Sequence, residues 1–303
     1  MLYAKKYKNF TAEGHGVFTT DTINYNSASD LRAFLEREGL GMRKKFGQNF
    51  LINPSVRQAL ADALDAREGA GVWEIGPGLG AMTALLLEKG FSVKAFEIDT
   101  GFIRALKKIF SEEKRFTLVE GDVMKTWRAQ EPSPFLLGNL PYNAAASLLA
   151  DFIEKGRLFT RMVVTVQKEV ALRMAASAGT GDYSSFSVLC QSAYRVKPLM
   201  LIRPPSFYPR PNVDSMGVLL ESLPPRSYPD VFYPLVRSLF SSRRKTIKNN
   251  LTNFLSSRFA KPSAAQICSS VLAENSLSGN ERAENLERDD FLSLAKSIEN
   301  VRL

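Results

Sequence analysis

"GVWEIGPGLGAMTALLLEKG", residues 71–90, holds the junction that decides the fold. Its first part, "GVWEIG" (71–76), reads as a buried strand, a short apolar run bounded by glycines. Its last part, "LGAMTALLLEKG" (79–90), reads as a helix stopped by Gly90. Between them Gly76, Gly78 and Gly80 let the backbone come close to a ligand at a helix N-terminus, where polar groups are favoured. The spacing is Gly-x-Gly-x-Gly, not the Gly-x-Gly-x-x-Gly of the dinucleotide fingerprint.

Outward from this junction strands and helices alternate. "SVKAFEID" (92–99), "FTLVEGD" (116–122), "PFLLGNL" (134–140) and "RMVVTVQ" (161–167) read as strands. Helical segments follow at 101–110, 144–156, 168–177 and 184–194. "VKPLMLI" (196–202) and "DSMGVLLES" (214–222) form a last strand pair with no helix between them, which puts an antiparallel partner at one edge. The fold class is therefore α/β, an open and mostly parallel sheet with helices on both faces. "LPPRSYP" (223–229) marks a boundary, and the four segments beyond it all suggest helices. The expected organisation is an arm and short helix over 1–40, a sheet domain over 41–222 and a small helical domain over 223–303. Within the first part, residues 1–26 are read as flexible and "SASDLRAFLERE" (27–38) as the helix.

Open sheets of this kind bind ligands along the carboxyl edge of their strands. Glu97 lies there, 21 residues after Gly76, where an acid can accept hydrogen bonds from ribose hydroxyls. Asp122 ends the third strand and could accept from an adenine amino group. Together with the glycine loop these point to an adenosine-bearing cofactor; the alternative is a tight turn and a surface glutamate. "NLPY" (139–142) follows the fourth strand and faces the same edge. An exocyclic adenine amine is a poor nucleophile because its lone pair is delocalised into the ring. The Asn139 amide oxygen and the Leu140 carbonyl could accept from that amine and favour a more pyramidal, nucleophilic nitrogen. Pro141 stiffens the loop, and Tyr142 offers a face for stacking, worth about 1–3 kcal/mol per base. In "PPSFYPRPNV" (204–213) either Phe207 or Tyr208 could close the other side of a base pocket, with core packing as the alternative.

Composition narrows the class further. A chain of 303 residues with 45% hydrophobic content can build one large and one smaller core. No apolar run approaches a membrane span, and no N-terminal signal core is visible. Cys190 and Cys268 form no ligand or redox motif, which suits buried thiols in a reducing compartment, the cytoplasm. His15 is the single histidine, so histidine triads and multi-histidine metal sites are excluded. A net charge of +9 attracts polyanions, nucleic acid above all.

Taken in order, "KKFGQNFL", "EIGPGLG", "EID", "GNLPYN", "FYPRPNVDS" and "SSRRKTIKNNL" resemble the ribosomal RNA small-subunit adenine dimethyltransferases of the KsgA type. The resemblance covers about residues 40–255 and continues weakly beyond. It implies a Rossmann-like S-adenosylmethionine-dependent methyltransferase fold with a helical C-terminal domain. It also implies two cofactor molecules per adenosine, S-adenosylhomocysteine as product and no metal. The substrate implied is a pair of adjacent adenosines in a hairpin near the 3′ end of 16S rRNA, within the small ribosomal subunit. Carried over by motif, Gln48, Asn49, Leu51, Gly76, Glu97, Ile98, Asp122 and Val123 lie at the cofactor. Asn139 touches both cofactor and target amine, Leu140 and Tyr142 position the base, and Phe207 matches the second stacking aromatic. The arm over 1–26 is longer than the pattern needs.

Two basic clusters are read as RNA contacts: Arg43, Lys44 and Lys45, and Arg243, Arg244, Lys245 and Lys248. A helix would put Arg244 and Lys248 on one face, with no acidic residue between Asp230 and Glu274 to neutralise them. A monomer without membrane association is expected. The competing readings are a macrolide-resistance methyltransferase acting on 23S rRNA, a DNA adenine or protein glutamine methyltransferase, and a noncatalytic assembly factor of the small subunit.

Overall fold

The computed structural model describes residues 23–42, 48–141 and 144–301. The expectations for residues 1–22, including His15, and for Arg43, Lys44, Lys45 and Tyr142 fall outside them. The chain opens with α1 (Ala28–Arg37), β1 (Phe50–Leu51), α2 (Pro54–Asp62), β2 (Gly71–Ile75), α3 (Ala81–Glu88) and β3 (Ser92–Glu97). There follow α4 (Thr100–Ile109), β4 (Phe116–Glu120), α5 (Val123–Thr126), β5 (Phe135–Asn139), α6 (Ala145–Glu154) and β6 (Arg161–Gln167). Next are α7 (Lys168–Ala175), α8 (Ser185–Ala193), β7 (Tyr194–Ile202), β8 (Phe207–Tyr208) and β9 (Ser215–Ser222). The helices α9 (Phe232–Phe240), α10 (Ile247–Ser256), α11 (Lys261–Glu274) and α12 (Arg288–Glu299) complete the chain.

Seven strands form one sheet in the order β4-β3-β2-β5-β6-β9-β7. From β4 to β6 all neighbours are parallel. The chain builds outward from β2 through β3 to β4, then returns to β5 on the other side of β2. That reversal opens a crevice beyond the carboxyl ends of β2 and β5, where open α/β sheets hold ligands. β9 runs antiparallel to β6, from Arg161 opposite Glu221 to Gln167 opposite Ser215. The last strand pair lies at one edge as expected, with β9 beside β6 and β7 outermost. A second, two-stranded sheet pairs Phe50 with Tyr208 and Leu51 with Phe207.

The chain divides into two compact units. The first holds the residues up to Asp151, Arg157–Ala171 and Lys197–Glu221. Its core gathers Val72, Leu86, Val93 and Leu106 with Leu31, Phe34 and Leu35 of α1. Each such side chain contributes about 1.5–3 kcal/mol by leaving water. Ile23 is buried in the same cluster, and Tyr25 donates its hydroxyl to the Leu79 carbonyl at 2.9 Å. The flexible arm expected through residue 26 is corrected at Ile23 and Tyr25, which find apolar cover, while Asn24 and Asn26 stay exposed. Ser27 caps α1, accepting from the Asp30 N–H at 3.2 Å.

The second unit takes Phe152–Gly156, Leu172–Val196 and everything from Ser222 onward. Its core joins Leu235 and Leu239 of α9, Leu251 of α10, Cys268 of α11 and Phe291 of α12 to Val188 of α8. A domain boundary near 222 is therefore only part of the division, since α8 is built into the helical unit by its own apolar face. Cys190 and Cys268 are free and buried. No described helix is long and apolar enough to cross a membrane.

Candidate active site

A cavity of about 340 Å³ lies in the first unit, bordered by the carboxyl ends of β2, β3, β4 and β5. The structure brings Gln48, Asn49, Leu51, Gly76, Glu97, Ile98, Asp122, Val123 and Asn139 together in its lining. The glycine loop forms its floor and depends on glycine for steric reasons. Gly78 has φ +59°, and a Cβ there would lie 2.8 Å from the Phe50 ring. At Gly80, with φ +89°, a Cβ would lie 2.5 Å from the Phe110 ring. Both positions exclude side chains, Gly80 against the core and Gly78 at the cavity, which it lines with its backbone alone.

Glu97 is buried at the end of β3, and its carboxylate is held by three backbone N–H groups. Gly78 donates to Oε2 at 3.2 Å, while Ile98 and Asp99 donate to Oε1 at 2.9 and 2.8 Å. A carboxylate offers about four acceptor directions, so these bonds leave room for a further one. Burial pushes its pKa up to about 7, against the lowering effect of those N–H groups. Ile98, 42% exposed, provides an apolar surface beside it. Asp122 caps α5 by accepting from the Met124 N–H at 2.9 Å, and so commits one oxygen to the backbone.

Glu74 belongs to the glycine motif "EIGPGLG", where the sequence pattern assigns it no role. It sits inside β2, 2% exposed, lines the cavity and accepts from the Thr83 hydroxyl at 2.6 Å. Burial raises its pKa to about 8, and the nearby Glu97 adds to the shift. The available signal was a charged residue inside an otherwise apolar strand. Arg57 was missed as well. Its buried guanidinium donates to the carbonyls of Leu51 at 2.6 Å and Tyr25 at 3.3 Å, and to the Asn26 side chain. Among the described residues no three His, Cys, Asp or Glu side chains are grouped to hold a metal ion.

Asn139 ends β5, half-buried, with its amide turned to the segment before β1. Its Nδ2 donates to the Asn49 carbonyl at 2.7 Å, and among the described residues its Oδ1 has no partner. Gln48 is anchored through Nε2 to Asp99 at 3.3 Å. Leu140 donates its N–H to the Thr165 carbonyl at 3.1 Å, and its side chain is buried at 1% exposure. Any part it takes in base positioning therefore falls to its carbonyl.

Phe207, expected as a stacking ring, is 1% exposed in the core of the first unit and is absent from the cavity lining. In this conformation it packs and offers no face to a base, because its pairing opposite Leu51 turns it into the core cluster. Tyr208, its neighbour, is half-buried.

In the second unit, Arg243, Arg244, Lys245 and Lys248 are all exposed. The helical face expected to join Arg244 and Lys248 does not form: Thr246 caps α10, so only Lys248 is in the helix and Arg243, Arg244 and Lys245 precede it. Neutralisation also comes from farther along the chain than expected. Glu284 pairs with Arg243 at 3.0 Å. Arg244, Lys245 and Lys248 have no carboxylate partner among the described residues.

The sequence matches the family described as "Ribosomal RNA adenine dimethylase" over residues 39–300. It is 47% identical over 285 residues to the ribosomal RNA small subunit methyltransferase A of Treponema denticola, covering 91% of this chain and 96% of that one. The protein of the same name from Borreliella burgdorferi is 37% identical over 282 residues, covering 91% and 95%. Among solved structures, a dimethyladenosine transferase from Plasmodium falciparum aligns with TM-score 0.71 and 26% identity, over 82% of this chain and 96% of that one. The 23S rRNA methyltransferase ErmE aligns with TM-score 0.57 and 20% identity, over 82% and 99%, and shares the fold. With this strand order, this glycine loop and this asparagine at one sheet edge, the chain belongs to the ribosomal RNA adenine dimethylase family.

Proposed function

We propose that the chain dimethylates N6 of two adjacent adenosines in a hairpin near the 3′ end of 16S rRNA, with S-adenosylmethionine as donor. It does so as a monomer on the small ribosomal subunit in the cytoplasm, as a step of ribosome biogenesis. When bound, S-adenosylmethionine would supply an electrophilic methyl group on a sulfonium, and the accepting N6 would release its proton to solvent.

The cavity fits such a cofactor. Glu97 can accept from ribose hydroxyls, Ile98 offers an apolar face to adenine, and Asp122 has an oxygen left for the adenine amine. Glu74 places a carboxyl where the cofactor's positive charge would otherwise be uncompensated. The donor set is rich in carboxylates and apolar walls, which suits a cationic adenosine derivative. Asn139 Oδ1 and the Leu140 carbonyl hold the target amine, drawing its lone pair out of conjugation and toward the methyl group.

The observation that carries this reading is Asn139, which lines the cavity with its amide nitrogen tethered and its oxygen without a partner among the described residues. Asn139→Ala removes that acceptor at a half-buried strand end. Methyl transfer should fall by roughly 100- to 1000-fold, the usual cost of one positioned polar contact. Near-normal turnover in the folded variant would remove Asn139 from the mechanism.

A further inference from the structure

We propose that the backbone carbonyl of Asn49 is the positioning group that decides which end of the Asn139 amide faces the methyl-accepting nitrogen. The inference rests on the methyl-transfer reading above and deepens it.

An asparagine amide presents a donor and an acceptor of nearly the same shape, so either end can occupy a given place. Only one orientation is useful here: the target amine needs an acceptor, and an NH2 in that place would meet it donor to donor. The 2.7 Å bond from Nδ2 to the Asn49 carbonyl removes the ambiguity. A carbonyl accepts and cannot donate, so turning the amide over would set two oxygens against each other. Asn49 belongs to the segment leading into β1, which is held in place independently of Asn139. Gln48 bonds to Asp99 at 3.3 Å, the Leu51 carbonyl accepts from Arg57 at 2.6 Å, and the Ile52 N–H donates to the Ser206 carbonyl at 2.8 Å. The carbonyl is therefore fixed by neighbours on both sides, and the amide adapts to it.

This arrangement makes the nitrogen of Asn139 as necessary as its oxygen, which gives a specific expectation for Asn139→Asp. Ionised, the new carboxylate would place an oxygen against the Asn49 carbonyl and lose the tether. Protonated, it would donate its O–H to that carbonyl and leave its other oxygen as an acceptor, restoring the wild-type pattern. The variant should therefore recover as pH falls. The other ionisable groups lining the cavity are Arg57 on α2, Glu74 on β2, Glu97 on β3 and Asp122 at the start of α5. They are common to wild type and variant, so the informative quantity is the ratio of the two activities.

The test measures methyl transfer to undermodified small subunits by wild type, Asn139→Asp and Asn139→Ala across pH. The Asn139→Asp to wild-type ratio should rise about tenfold per pH unit as pH falls toward the pKa of the new carboxyl. The Asn139→Ala ratio, with neither donor nor acceptor restored, should stay flat. In protein labelled at asparagine side-chain nitrogen, one Asn139 amide proton should exchange with solvent more slowly than its partner, with or without RNA. A flat Asn139→Asp ratio, or two equally fast amide protons, would overturn the proposal. Failure of the underlying reading would look different: the wild-type protein itself would leave the RNA unmethylated.

Discussion

Glu74 is a carboxyl buried inside β2, and that burial works against the fold. Its ordinary pKa is 4.5, and in the folded chain burial raises it to about 8. Between those values the folded state holds a proton that the unfolded state has released, so stability falls as pH rises across that window. Glu74→Gln keeps the shape and removes the titration. In denaturant unfolding without cofactor, the variant should gain on wild type from about pH 5 to about pH 8, by up to a few kcal/mol. Calorimetry at the upper end should show the opposite sign for S-adenosylmethionine, whose positive charge favours an ionised Glu74. A variant that is less stable than wild type at about pH 8, or that binds cofactor equally well, would separate Glu74 from this role. Its burial was not legible in sequence, because the partner that meets it, Thr83, is supplied by the following helix, α3. Asn139 was legible for the contrary reason: its place at a strand end, followed by a proline, is a local property.

Among the elements, the stretch from Ile23 to α1 has changed most from its sequence reading. Tyr25 ties it to the glycine loop through Leu79, and Arg57 ties it to β1 through the carbonyls of Tyr25 and Leu51. Burial pushes the Tyr25 phenol well above its usual pKa, so it donates at all ordinary pH. Tyr25→Phe removes one hydrogen bond and keeps the ring. Such a loss costs about 0.5–1.5 kcal/mol. It should appear as a roughly two- to twelvefold weaker cofactor affinity measured by calorimetry, with the maximal rate of methyl transfer little changed. Unchanged affinity would leave the contact a packing feature only. The seven-stranded sheet was legible because apolar runs and glycine stops repeat with a helix between each pair. The β1–β8 ribbon was not, since two residues per strand carry no periodicity and their partners lie far apart in sequence. The start of α10 was misjudged because the capping preference of Thr246 outweighs the helical spacing of the basic residues before it.

For the whole molecule, the proposed function assigns base modification to the first unit and RNA docking to exposed positive charge in the second. Arg244, Lys245 and Lys248 suit phosphate contacts, which add affinity while leaving base choice to the Asn139 pocket and to RNA shape. Replacing the three by glutamine should weaken subunit binding and lower its log–log salt slope by roughly 0.7–0.9 per lost contact. Cofactor affinity should not change. Arg243 is left out because Glu284 already neutralises it, a pairing across 41 positions that no local pattern announces. An unchanged salt slope would show that this patch does not dock RNA. The central claim, adenosine dimethylation of the small-subunit RNA, is tested most directly by locating the methyl groups. Undermodified small and large subunits are incubated with the protein and labelled S-adenosylmethionine, and the modified nucleosides are mapped. The account predicts N6,N6-dimethyladenosine at two adjacent positions in the hairpin near the 3′ end of 16S rRNA. Methyl groups in 23S rRNA instead, or in neither RNA, would contradict it.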